Sequence, residues 1–540
     1  MFRLTPILKR RNVAAIARVA LNDDRDKAAV ITETTTTQVR SVVVIDLDSE
    51  GATEINLNAY DLLWLDGSTL LISTRSAHEP RAVFSLRLGE SPREIAQATH
   101  PGETLLLHSA GWSGFALIEH NHPRWSFFDL MSAANPLATT NISQKGPPGT
   151  TCALVDDSIF CSSFTSNHGG VVTRTPLGSR SAPKTIHIAP SGGSIAHIVP
   201  AKAGLAVITS FGSHATITTI SSSGEVISNS DSGGPTTTFS PAPTYQRGQQ
   251  VLVRGHSFLR PSESITIEEA PQWSQGSRVV GCDTCVERAL TAKSSDGTII
   301  PISLVTPKEP QGLLVKVYGS YGLPSRAEFS PEVLSLARRG VAVAIAHVRG
   351  GGELGPLWHS SAVGANKLRS VADLRASIAE LSGVLGIPTT RIIVYGRSAG
   401  AWLAAKVATT YPNSFRALIL EAPLVDLTDV ASNPSLPLFE REKYEWGDSL
   451  DVRRDLSPKL SAGHISVDLL AMVPLEDELV PIHDTLRWLR NFQCQQSPSF
   501  RTIVSLIPGA NHDGPRSRSA VDEWSAAQEI FIRDVVSRGQ

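Results

Sequence analysis

The stretch Val394-Tyr395-Gly396-Arg397-Ser398-Ala399-Gly400-Ala401-Trp402 places a G-x-S-x-G pentapeptide between an apolar run, Arg391 to Tyr395, and an alanine-rich run, Ala401 to Thr409. The first run reads as a strand and the second as a helix, so the serine falls on a sharp strand-to-helix turn. Side chains at positions 396 and 400 would collide with neighbouring backbone there, which accounts for the two glycines. Such a turn holds Ser398 Oγ up at the strand's end, in reach of a base. A nucleophile elbow needs partners, and the rest of the chain is read for them.

Outward from the elbow, apolar runs alternate with amphipathic ones. Leu313 to Val317, Val341 to Ala346, Arg391 to Tyr395, Ala417 to Glu421, Asp468 to Val473 and Thr502 to Leu506 read as buried strands. Pro331 to Arg339, Ser370 to Gly383, Gly400 to Tyr411, Ile482 to Asn491 and Ala520 to Ser537 read as helices. That alternation predicts an α/β-hydrolase type of catalytic domain over 271–540: a mostly parallel sheet with helices on both faces. Residues 1–270 differ in texture, being rich in Thr, Ser, Val and Ile with little helical periodicity. Short apolar strands recur at Ala28 to Ile31, Thr69 to Ile72, Thr104 to Leu107, Ser158 to Cys161, Leu205 to Ile208 and Gln250 to Val253. Several follow turn signals such as Asp66-Gly67 or Arg247-Gly248. This pitch suits four-stranded blades, so an all-β N-terminal β-propeller of about six blades is expected ahead of a pair of β-sandwiches.

The order nucleophile, acid, histidine, each on a loop after a strand, is the order such a sheet requires. After Ser398 comes Met472-Val473-Pro474-Leu475-Glu476-Asp477-Glu478-Leu479-Val480-Pro481, an apolar strand running into an acidic turn. Asp477 is assigned as the acid that orients an imidazole, with Glu476 as its rival one residue away. Ile507-Pro508-Gly509-Ala510-Asn511-His512-Asp513-Gly514 then presents His512 as the general base. Oxyanion donors are expected from the Ala399 N–H and from the loop after Leu313 to Val317, where Tyr318 or Tyr321 could supply a hydroxyl.

Lys+Arg 49 against Asp+Glu 51 leaves a net charge of -2, which argues against nucleic acid or an anionic membrane as partner. Met1 to Arg11 are basic without the apolar core of a signal peptide, and a cytoplasmic location is expected. Five cysteines agree with that compartment. Cys282-x-x-Cys285 is read as two reduced thiols, because no second ligand pair follows at zinc spacing, and Cys152 and Cys161 as packed small side chains. No metal or cofactor is implied, and the oligomeric state is left open.

The segments Ser295 to Val305, Tyr318-Gly319-Ser320-Tyr321-Gly322, and His347-Val348-Arg349-Gly350-Gly351-Gly352-Glu353-Leu354-Gly355 with Trp358 lead into the elbow. With Glu445-Trp446-Gly447 and the Asp477 and His512 loops, they resemble the prolyl oligopeptidase family of serine peptidases, most like oligopeptidase B. The resemblance covers nearly all of 280–540; the other half resembles the family in strand rhythm only. It implies Ser398 as nucleophile, Asp477 and His512 as its relay, and Tyr318 as the side-chain oxyanion donor. It also implies a propeller that covers the site and admits short or unfolded peptides. Three departures stand out. The family's G-G-S-x-G-G has Arg397 and Ala401 in place of two glycines. Its E-x-E-E-W-G pocket stretch reads Glu442-Lys443-Tyr444-Glu445-Trp446-Gly447, with Tyr444 at an acid position. A backbone-binding arginine is replaced by Glu478, which cannot donate to a carbonyl at neutral pH. Arg397, Glu442, Tyr444 and Trp446 are the substrate-pocket candidates. The expected function is a serine-type oligopeptidase acting on short peptides through an acyl-enzyme. An esterase or an acylaminoacyl-peptidase-like hydrolase with the same triad is the alternative, and a propeller scaffold with a decayed hydrolase the non-enzymatic one.

Overall fold

The computed structural model describes residues 13–539 apart from 23, 35–39, 75–80, 101–102, 110–113, 143–148, 166–167, 178, 180–181, 202–203, 231–232, 242–250, 268–270, 273–283, 431–438, 461–464 and 516. Met1 to Arg11, Arg247-Gly248, Gln250 and Cys282, all used in reading the sequence, lie outside the described residues.

Among the described residues, the N-terminal part is built from six four-stranded antiparallel sheets, each taking its strands in chain order. Alternate residues of an antiparallel strand face opposite ways, so each sheet has two faces to bury. Apolar clusters fill the gaps between successive sheets. Ala29, Ile31 and Val42 of the first sheet meet Leu62 and Leu70 of the second. Further on, Phe160 and Val172 of the fourth meet Ile195 and Leu205 of the fifth. This radial stacking is a β-propeller. Five of the six sequence signals fall in the second strand of their sheets: Lys27–Thr34, Thr69–Thr74, Ser158–Thr165, Gly204–Ser210 and Val251–His256. Thr104 to Leu107 instead opens the third sheet, as Thr104–Ser109.

The C-terminal part holds one eight-stranded sheet: β1 Val286–Lys293, β2 Ile299–Thr306, β3 Gly312–Val317, β4 Val341–Ala346, β5 Ile392–Arg397, β6 Ala417–Glu421, β7 Asp468–Pro474 and β8 Thr502–Ile507. Their spatial order is β1-β2-β4-β3-β5-β6-β7-β8. Pairing is antiparallel for β1 with β2 and β2 with β4, and parallel from there on. The central strands are buried throughout, as the continuous apolar runs require. Six longer helices cover it: α1 Pro331–Arg338, α2 Leu368–Leu385, α3 Ala399–Thr410, α4 Phe439–Trp446, α5 Ile482–Gln495 and α6 Arg518–Arg538. Leu374, Trp402, Trp446 and Phe492 pack α2 to α5 against one face. Val333, Leu336, Phe531 and Val535 pack α1 and α6 against the other. Helix α4 was not expected; its sequence, FEREKYEW, is too polar to show an apolar stripe.

The cysteines correct the expectation of reduced thiols. Cys152 and Cys161 face each other across neighbouring strands of the fourth sheet and form a disulfide, and Cys285 is also disulfide-bonded. Sequence spacing did not reveal the first pair, because the pairing depends on the register of two strands. Cys494 is free and exposed.

Candidate active site

Strand β5 ends at Arg397 and α3 begins at Ala399, leaving Ser398 alone on the turn with φ 53° and ψ −122°. That conformation is costly for a residue with a Cβ and is retained where surrounding contacts enforce it. The Ser398 N–H donates to the Glu421 carbonyl of β6 at 2.8 Å, and its own carbonyl accepts from Ala401 at 3.0 Å. A Cβ on Gly396 would lie 2.2 Å from the Gly400 carbonyl oxygen, and one on Gly400 would lie 2.4 Å from that of Val317. The two glycines let helix and strand ends approach until Ser398 projects from the sheet.

His512 sits in the loop after β8, and its Nε2 lies 3.0 Å from Ser398 Oγ. Its Nδ1 lies 2.8 Å from Asp477 Oδ2. The other oxygen of Asp477 accepts the backbone N–H groups of Leu479 and Val480, both at 2.9 Å, which fixes the carboxylate. Glu476 is exposed and spends its backbone N–H on Ala510. Of the two candidate acids, therefore, Asp477 is the one brought to the imidazole. Three residues separated by 114 positions in the chain form one hydrogen-bonded line.

The two groups expected to donate to an oxyanion are both without a partner among the described residues. Ala399 is the first residue of α3, so its N–H has no partner within the helix. Tyr318 follows β3, and its hydroxyl makes no hydrogen bond to the described residues. Burial, with help from Glu445 and Glu442, pushes this phenol well above its ordinary range and keeps it a donor. Tyr321 is differently employed. Its hydroxyl donates to both oxygens of Glu442 and accepts from Trp446 Nε1 at 3.1 Å.

The loop carrying both tyrosines rests on the R-G-G-G-E stretch. A Cβ on Gly350 would lie 2.3 Å from the Gly319 oxygen, and one on Gly352 would lie 2.1 Å from the Gly322 oxygen. Arg349 anchors the stretch from behind, donating Nε and Nη2 to the two oxygens of buried Asp373 at 2.8 and 2.6 Å and Nη1 to Asp296 at 2.5 Å. At the other end, Glu353 accepts the Ser325 N–H at 2.8 Å. The motif thus shapes the floor of the loop.

The substrate-pocket candidates separate. Trp446 is wholly buried, edge-on to Trp402. Glu442 is buried with its carboxylate turned to Tyr321 and Trp446, and desolvation raises it to about 7. Tyr444 is half-buried beneath the Arg124 guanidinium of the propeller, 5.8 Å from its ring. Arg397 donates to the carbonyl of His512, pinning the histidine loop. Sequence reading missed Lys367, a fully buried ammonium that binds Glu445 and the Gly319 carbonyl. His359 joins the same carboxylate at 2.8 Å. Burial would raise Glu445, but Lys367 and His359 outweigh it and hold the acid at about 2. Nothing in the polar stretch around Lys367 marks it from sequence; only the closed fold places it under the loop.

An eight-stranded sheet in this order, with a serine on a strained turn and a histidine and acid on later loops, defines an α/β hydrolase capped by a β-propeller. Residues 327–538 match the profile of the Prolyl oligopeptidase family, and the chain carries a domain of that family. It is 40% identical over 166 residues to the prolyl endopeptidase-like protein of Xenopus laevis, covering 30% of this chain and 24% of that protein. It is 30% identical over 319 residues to the uncharacterized peptidase y4qF of Sinorhizobium fredii (strain NBRC 101917 / NGR234), covering 53% and 41%. The matched segments thus span less than half the length of these two relatives. Among solved structures, oligopeptidase B from Leishmania major superposes with a TM-score of 0.84 at 18% identity over 97% of this chain and 79% of that one, which shows the shared fold.

Proposed function

We propose that the protein is a serine-type oligopeptidase that hydrolyses short peptides through an acyl-enzyme. The observation that carries this reading is the hydrogen-bonded line from Ser398 through His512 to Asp477, at 3.0 and 2.8 Å. In the proposed reaction Ser398 Oγ attacks the scissile carbonyl carbon while His512 Nε2 takes its proton. Asp477 holds the imidazole tautomer and stabilises the imidazolium. The oxyanion accepts from the Ala399 N–H and the Tyr318 hydroxyl. Collapse expels the amine, which leaves with the proton from His512. Water then attacks the ester with the same base, releasing the acid and restoring Ser398.

The proposal assigns 271–540 to catalysis and 1–270 to a lid. Contact between the two supports it: Ser303 Oγ donates to the Ser213 carbonyl at 3.3 Å, and residues of both halves line one cavity. A covered site favours short or unfolded chains on steric grounds. Among the described residues no helix is long and apolar enough to cross a membrane. The bonded cysteines favour an oxidising compartment over the cytoplasmic location suggested by composition.

Hydrolysis of fluorogenic peptides carrying Arg, Lys, Pro, Phe or Ala before the reporter, with fluorophosphonate labelling alongside, tests the proposal. Wild type should cleave at least one peptide and label, and Ser398→Ala should do neither. Labelling that persists in the variant would remove Ser398 as nucleophile.

A further inference from the structure

Between the propeller and the catalytic sheet lies a cavity of about 820 Å³. Ser398 and His512 do not line it, but Tyr321 does, so it adjoins the catalytic centre through the loop that also carries Tyr318. Helix α4 contributes Arg441, Tyr444 and Glu445 to its wall, whereas Glu442 is not among the lining residues. The acid that would greet a basic substrate side chain is therefore turned inward, and the guanidinium beside it faces the space.

The charges on the wall are unequal in their commitments. Three carboxylates line the cavity and each has a partner. Glu119 binds His108 at 2.7 Å, Glu353 accepts the Ser325 N–H at 2.8 Å with one oxygen and leaves the other without a partner among the described residues, and Glu445 is held by Lys367 and His359. Four arginines line it. Arg18 is paired with Asp61 at 2.5 Å. Arg124, at the tip of a propeller hairpin, lies over the Tyr444 ring and has no carboxylate partner among the described residues. Arg326 and Arg441 are half-buried and form no hydrogen bond or ion pair with the described residues. Two partly desolvated guanidinium groups line this space with no carboxylate in ion-pair reach among the described residues, and they leave a local excess of positive charge on its wall. Burial and then Arg326 push His197 down to about 3, which places the Arg326 charge close to that ring.

Resting on the proposed peptidase reading, we infer that this chamber binds a carboxylate of an acidic peptide substrate, with Arg326 and Arg441 as its anchors and Arg124 at the rim. An arginine fork matches a carboxylate in two parallel hydrogen bonds, and partial burial of the guanidinium groups strengthens the pairing. The protein is thereby set apart from a peptidase selecting for arginine or lysine. The carboxylate can come from a Glu or Asp side chain or from the peptide's C-terminus, and both present the same group.

Binding can be measured without turnover by using Ser398→Ala as the host and fluorescein-labelled octapeptides in matched pairs. One pair differs by Glu against Gln at internal positions, the other by a C-terminal acid against its amide. We expect at least one acid to bind about fivefold or more tightly than its neutral twin, with the gain shrinking as ionic strength rises. R326Q and R441Q in the same host should each bring that ratio toward one, while R441K, which keeps the charge without the fork, should fall between R441Q and the host. A preference in the first pair assigns the side chain as the source, and in the second the terminus. Ratios of one in both pairs, or ratios indifferent to R326Q and R441Q in variants that melt like the host, overturn the inference. Fluorophosphonate labelling of wild type separates the two levels. Labelling with ratios of one sinks the anion site alone, whereas an acid preference without labelling sinks the peptidase reading and leaves the anion site standing.

Discussion

Tyr321 donates its hydroxyl to both carboxylate oxygens of Glu442, at 3.1 and 2.9 Å, and Trp446 Nε1 adds a third donor at 2.8 Å. Burial nonetheless raises this acid from 4.5 to about 7. An acid raised by the fold resists ionisation there, so its cost is absent below 4.5 and grows as pH rises through about 7. That shift corresponds to ~3 kcal/mol at most. Replacing Glu442 by Gln removes the ionisation, so E442Q should gain thermal stability relative to wild type on going from pH 5 to pH 8. Calorimetry of both proteins at both values checks this, and a pH-independent difference would contradict it.

Asp477 is fixed by two backbone donors and faces His512, whereas Glu476 is exposed. Asp477→Asn should lower kcat by roughly 10⁴-fold, since an amide favours the wrong imidazole tautomer. Glu476→Gln should leave kcat within about twofold, as expected of an exposed side chain outside the relay. Steady-state rates on one cleaved peptide decide between the two acids.

Arg397 reaches the carbonyl of His512. A guanidinium that holds the histidine loop acts on the rate of chemistry. Arg397→Ala should therefore lower kcat about tenfold with KM little changed, in line with misplacing a base by part of an ångström. A rise in KM at constant kcat would instead make Arg397 a substrate contact.

Gly396 and Gly400 leave no room for a methyl group, with backbone oxygens 2.2 and 2.4 Å from the added carbon. Gly400→Ala should destabilise the protein by ~2–4 kcal/mol and slow fluorophosphonate labelling, because the backbone must shift beneath Ser398. Melting temperature and labelling rate should fall together.

The cysteine pairing is checked by alkylation. Iodoacetamide should modify Cys494 in the native protein and spare Cys152, Cys161 and Cys285 until a reductant is added. Tryptic mass mapping before and after reduction reads this directly, and native labelling of Cys152 would contradict the cross-strand bond.

The sequence alone determined the parts governed by local pattern. Continuous apolar runs and amphipathic spacing defined the strands and helices of the hydrolase half, with Val341–Ala346 and Ala417–Glu421 matching to the residue. The glycines around Ser398 announced the elbow, and the order of serine, acid and histidine followed from loops after strands. Turn signals and strand pitch gave a propeller of about six blades, and six four-stranded sheets stand among the described residues. What the tertiary structure decided depends on contacts between segments far apart in the chain. The polar helix α4 forms because packing buries Trp446, Glu442 and Glu445, not because its sequence shows a stripe. The rotation of that helix turns Glu442 inward and Arg441 toward the cavity, which a motif spelled as E-K-Y-E-W-G cannot express. Lys367 becomes a site residue only when the sheet closes over it, and Cys152 meets Cys161 only through strand register. Local propensity is written residue by residue, whereas burial and facing direction are set by neighbours that the chain supplies from elsewhere.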